Sequence, residues 1–70
     1  MGNSKQKIGF IGLGLMGQGF TKRLVECGYQ VTGYDLDPVK MAQAKLHGVI
    51  TAINAAEVTA KSDVVLICVT

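Results

Sequence analysis

Gly12-Leu13-Gly14-Leu15-Met16-Gly17 decides how this sequence folds. The run is a G-x-G-x-x-G. It is preceded by the short apolar stretch Lys7-Ile8-Gly9-Phe10-Ile11 and followed by apolar residues at helical spacing. A strand entering the glycines and a helix leaving them give each glycine a distinct physical task. Gly12 permits the tight turn, Gly14 keeps a Cβ away from an approaching phosphate, and Gly17 lets the helix pack close to the strand. The unpaired N–H groups and positive end of that helix would then face an anion.

Working outward, residues 7–11 read as a buried strand ended by Gly12. A helix from Leu15 to Cys27 carries Met16, Phe20, Leu24 and Cys27 on the expected buried face, with Gln18, Lys22 and Glu26 on the other, and Gly28 stops it. Residues 30–34 form a second strand. Asp37 then offers an N-cap with Pro38 at the first helical position, for a helix to about Leu46 whose expected apolar stripe is Val39, Ala42 and Leu46. Gly48 marks its exit, where the lone His47 is expected to meet the helix dipole, and residues 49–51 suit a short third strand. Asn54 and Glu57 have capping-box spacing and open a short helix ending near Lys61. Residues 64–69 are an unbroken apolar run, the pattern of a strand covered on both faces in a parallel sheet. The order βαβαβαβ predicts an α/β fold, the N-terminal half of a Rossmann-type doubly wound parallel sheet.

Asp35 stands eighteen residues past Gly17, at the end of the second strand. A carboxylate there can accept hydrogen bonds from the hydroxyls of an adenosine ribose. Asp35 and Asp37 without a neighbouring Arg would repel a 2′-phosphate, which favours NAD over NADP. Taken singly, the glycines could serve turns, Asp35 could be a surface turn residue and Met16 a core filler. Taken together, the strand, spaced glycines, helix, second strand and terminal acid favour a dinucleotide site. Gly19, early in the first helix, has no evident role and carries the helix cost of glycine.

Composition excludes other classes. With 49% hydrophobic and 17% charged residues the chain is globular rather than disordered, and its seventy residues suffice for one small unit. A net charge of +2, scattered without a basic run, leaves no footprint for nucleic acid. The longest apolar run is far short of the ~20 residues of a membrane span. The polar start lacks a signal-peptide core, Gln6 breaks the myristoylation pattern that Gly2 suggests, and a cytoplasmic protein is expected. Cys27 and Cys68 have no metal-ligand spacing, so no metal site is expected and both are read as buried reduced thiols.

Residues 8–17, together with Leu24, Gly28, Tyr29, Val31, Asp35, Pro38, Lys40, residues 62–65 and residues 68–70, resemble the 3-hydroxyisobutyrate dehydrogenase family of β-hydroxyacid dehydrogenases, whose hallmark is G-L-G-x-M-G. The related 6-phosphogluconate dehydrogenases usually carry Ala in place of Gly14 and Asn-Arg-Thr in place of residues 35–37, so they fit less well. The chain departs from the family at Phe20, Thr21 and Arg23, which leaves the phosphate loop intact but not the subfamily.

The resemblance implies NAD(P)-dependent hydride transfer between nicotinamide and a small β-hydroxyacid or its semialdehyde. It also implies catalytic residues beyond residue 70, the rest of the Rossmann domain, a helical C-terminal domain and a homo-oligomeric full-length protein. The cofactor-binding residues carried over are Gly12, Leu13, Gly14, Leu15, Met16, Gly17 and Asp35, with Val69 and Thr70 beside the cofactor at the end of the fourth strand. These seventy residues alone are expected neither to turn over substrate nor to hold NAD tightly. A non-catalytic NAD(H)-sensing module is the alternative. S-adenosylmethionine binding is disfavoured by Gly17, and FAD by the wording of the motif.

Overall fold

The computed structural model describes residues 6–68. Val69, Thr70 and the Gly2 signal therefore lie outside the described residues. Seven elements follow in the expected order: β1 (Lys7–Ile11), α1 (Leu15–Glu26), β2 (Gln30–Tyr34), α2 (Pro38–Leu46), β3 (Ile50–Thr51), α3 (Ala55–Ala60) and β4 (Val64–Ile67). All strand pairs are parallel and the sheet order is β3-β2-β1-β4, so the chain winds one way from β1 to β3 and then crosses back to β4. That order is the first half of a Rossmann-type sheet.

Local chemistry sets the boundaries. Asp37 caps α2 by accepting from the Val39 N–H at 2.9 Å, and Pro38 loses no hydrogen bond at the first helical position. Asn54 caps α3 by accepting from the Glu57 N–H at 2.8 Å, while the Glu57 carboxylate reaches back to the Ile53 N–H. That bond holds the Glu57 carboxyl below its ordinary range. Both longer helices close on a glycine of positive φ. At Gly28 the Tyr29 N–H donates to the Leu24 carbonyl, and at Gly48 the Val49 N–H donates to that of Ala44.

Strand alternation divides the core between two layers. Ile8, Phe10 and Val31 face α1 and α2, where they cluster with Leu13, Ala44 and Val49. On the opposite face α3 brings Val58 against β1, so closely that a Cβ on Gly9 would strike Val58 and Ser62.

The helix faces differ from the expected ones. Met16 and Phe20 are 64% and 56% exposed, and Cys27, Val39, Ala42 and Leu46 are exposed as well. The residues turned inward are Gly17 and Thr21 on α1 and Ala44 on α2, with Leu24, Val25 and Met41 partly buried beside them. Small side chains let the helix backbones approach the sheet, so the buried stripe follows size as well as apolarity. Thr21 is admitted because its hydroxyl donates to the Gly17 carbonyl at 2.8 Å. Neither cysteine is buried: Cys27 is exposed and Cys68 half-buried, and neither is in a disulfide.

Strand β4 is also less covered than its apolar run implied. Among the described residues it pairs only with β1, and Val64, Leu66 and Ile67 stay exposed because an edge strand lacks the neighbours that bury a central one. His47 occupies the C-cap position of α2, where its backbone N–H donates to the Ala44 carbonyl, and places Nε2 3.5 Å from the Thr21 hydroxyl.

Candidate nucleotide site

The carboxyl ends of β1, β2 and β4 converge on one edge of the sheet, where the winding reverses between β1 and β4. In open α/β sheets that crevice is where ligands bind. Here it is a cleft of about 320 Å³ lined by Ile11, Gly12, Asp35, Leu36, Lys40 and Cys68, among others.

The glycine loop closes one side of the cleft. Gly12 has φ 101°, and a Cβ there would run into the carbonyl oxygen of Cys68. A Cβ on Gly17 would lie 2.6 Å from the Gly12 carbonyl oxygen, so the helix can begin this close to the strand only without one. Backbone bonds stitch the loop to its surroundings: the Gly12 N–H donates to the Tyr34 carbonyl, and the Cys68 N–H to that of Ile11.

Gly14 is the N-cap of α1. It supplies no side-chain oxygen to the first turn, which also contains no acidic residue. The N–H groups of that turn are thus left to whatever anion approaches. Leu15 and Met16 lie on this turn with exposed side chains, whereas Leu13 is fully buried and anchors the loop in the core.

Asp35 closes the other side. Its Oδ2 accepts from the Leu13 N–H at 2.7 Å and its Oδ1 from the Asp37 N–H at 2.8 Å. Those two bonds, Leu13 first, with a smaller contribution from the Lys40 charge, outweigh partial burial and hold the Asp35 carboxyl below the ordinary carboxylate range. An ionised Asp35 therefore stands beside the uncapped turn. The bond from Leu13 was not foreseen from sequence, since nothing in residue spacing reveals that the acid touches the loop.

Gln18 was also missed. Expected on the solvent face, it is half-buried and donates from Nε2 to the carbonyls of Leu13 at 2.9 Å and Lys40 at 2.8 Å.

These residues are compatible with a dinucleotide: Gly12 and Gly17 pack where the protein's own backbone admits no Cβ, the start of α1 has no side-chain cap, and the Asp35 carboxylate is held beside it. The class defined by fold and site is a nucleotide-binding segment of the Rossmann type. Residues 7–70 match the family described as the NAD binding domain of 6-phosphogluconate dehydrogenase, and the chain belongs to that family.

Among curated proteins, it is 42% identical over 60 residues to the mitochondrial 3-hydroxyisobutyrate dehydrogenase of Mus musculus, covering 86% of this chain and 18% of that protein. It is 38% identical over 64 residues to the cytokine-like nuclear factor N-PAC of Pongo abelii, covering 91% of this chain and 12% of that protein. Among solved structures, the 3-hydroxyisobutyrate dehydrogenase of Mycobacterium tuberculosis, determined with L-serine, superimposes with a TM-score of 0.91 at 36% identity, covering 94% of this chain and 23% of that one. The chain thus spans less than a quarter of the length of each of these proteins. The family description carries the 6-phosphogluconate name, while two of these three proteins are the β-hydroxyacid dehydrogenases that the motif resembles.

No helix among the described residues is long and apolar enough to cross a membrane.

Proposed function

We propose that this chain is the cofactor-holding segment of a cytoplasmic, homo-oligomeric NAD(P)-dependent oxidoreductase acting on a small β-hydroxyacid or its semialdehyde. One observation carries the reading: the first turn of α1 has no side-chain cap and lies beside an ionised Asp35 at the reversal point of the sheet. A pyrophosphate takes the open N–H groups of Leu15, Met16 and Gly17, Gly12 and Gly14 give it room, and Asp35 accepts from the adenosine ribose. Leu13 shapes the loop from the core side. Val69 and Thr70, carried over from the family resemblance, complete the proposed set of cofactor-binding residues.

The bound nicotinamide supplies the hydride chemistry, and the protein's part in this segment is binding and orientation. Catalytic residues belong to further sequence, a reading supported by the much greater length of the relatives.

NAD is the preferred cofactor. A 2′-phosphate in place of the ribose hydroxyl would face the Asp35 carboxylate, with Asp37 two residues on and, among the described residues that line the cleft, Lys40 as the only countercharge. The test is nicotinamide fluorescence of the full-length protein titrated with NADH and NADPH, in wild type and Asp35→Ala. Wild type binds NADH more tightly. Asp35→Ala weakens both cofactors, because the Leu13 N–H loses its acceptor, but weakens NADH more and narrows the preference. Tighter NADPH binding in wild type overturns the cofactor choice, and binding of neither overturns the dehydrogenase reading.

A second reading, a non-catalytic NAD(H)-sensing module, is favoured by the match to a protein named as a nuclear factor. Turnover of a β-hydroxyacid by the NADH-binding protein separates the two.

A further inference from the structure

Leu13 is held by its peptide groups as well as by its buried side chain. Its N–H goes to Asp35 Oδ2, and its carbonyl accepts from Gln18 Nε2. The second hydrogen of the same amide goes to the Lys40 carbonyl, in the first turn of α2. One side chain therefore spans from α1 to the glycine loop and to the helix that follows Asp35. The orientation of the amide is dictated, because a flipped amide would point its oxygen at two carbonyls. Satisfying both carbonyls leaves Gln18 Oε1 buried with no partner among the described residues. A buried unpaired oxygen is costly, so a Gln that only solubilised the helix would not be held this way.

We infer that Gln18 is a positioning residue of the nucleotide site, a strut that fixes the distance between the phosphate-binding start of α1 and the ribose-binding Asp35. The inference rests on the dinucleotide reading above. It assigns Gln18 no contact with the ligand. Its effect is geometric: a ligand that occupies both subsites needs them at a set separation, whereas a ligand that occupies one does not.

That difference supplies the test. In the full-length protein, Gln18→Met keeps length and helix propensity but removes both donors. Affinity is measured by NMR titration for ADP-ribose, which spans phosphates and ribose, and for adenosine, which reaches only the ribose side. Loss of the strut weakens ADP-ribose about tenfold and adenosine less than about twofold. Equal weakening of the two ligands, or no weakening, means that Gln18 merely ties two helices together and overturns the inference. A wild-type chain that binds neither ligand removes the dinucleotide reading itself, and the strut with it.

Gln18→Glu is the second variant. It keeps the shape of the side chain but turns carboxylate oxygens toward the carbonyls of Leu13 and Lys40, so at about pH 8 it weakens ADP-ribose at least as much as Gln18→Met does and adenosine less than about twofold. A Gln18→Glu protein that binds ADP-ribose as tightly as wild type counts against the strut.

Discussion

The starts of α1 and α3 solve the same problem in opposite ways. Each follows a strand and begins with N–H groups that have no partner within the helix. At α3, Asn54 accepts from the Glu57 N–H and the Glu57 carboxylate takes the Ile53 N–H, so the chain finishes the helix with its own oxygens. At α1, Gly14 sits in the cap position with extended backbone angles and supplies nothing. Helix α2 follows the α3 pattern through Asp37. The contrast supports the proposed nucleotide reading, in which a ligand supplies at α1 the acceptor that the chain's own side chains supply at α2 and α3.

Three substitutions test that contrast, and the first should have the largest effect. Gly14→Asp gives α1 the cap it lacks, at angles (φ −68°, ψ −167°) that an L residue adopts freely. The full-length protein should gain about 0.5 kcal/mol in urea unfolding while NADH affinity falls about a hundredfold, because the new carboxylate occupies and repels the phosphate position. A variant that gains stability and still binds NADH normally would break the link between an open terminus and the ligand.

Asn54→Ala works in reverse at α3. It should cost about 1 kcal/mol of stability and leave NADH affinity unchanged, which a paired urea and fluorescence measurement resolves.

The smallest effect is expected at Gly19, where an added Cβ meets nothing within 4 Å. Gly19→Ala should stabilise α1 by roughly 0.5 kcal/mol, read as a higher urea midpoint, without altering the site. Altered NADH binding would show that this glycine serves the ligand after all.

The comparison also explains what the sequence revealed and what it hid. Element boundaries were readable because they are written in local chemistry: Gly28 and Gly48 at helix exits, Asp37 with Pro38, and Asn54 with Glu57. The places of the glycine loop between β1 and α1 and of Asp35 after β2 were readable for the same reason, since they depend on spacing along one βαβ unit. Helix faces were not. Met16 and Gly17 are adjacent, and apolar periodicity selects the larger side chain although only the smaller one fits against the sheet. Gln18 and Thr21 were hidden because the carbonyls of Leu13, Lys40 and Gly17 that draw their donors inward carry no side-chain signature. The tie from Leu13 to Asp35 depends on tertiary proximity across 22 residues, which no local rule reads.

The bare side of β4 has a practical consequence for handling the chain. Among the described residues β4 is paired along one edge alone, and a parallel strand of that kind, carrying exposed Leu66 and Ile67 beside an exposed Phe20, is a template for another strand. None of the four residues of β4 is charged or Pro, so the strand has no gatekeeper against such pairing. Produced alone and concentrated, these seventy residues should aggregate edge to edge. A lysine in place of Leu66 is the simplest way to keep them in solution.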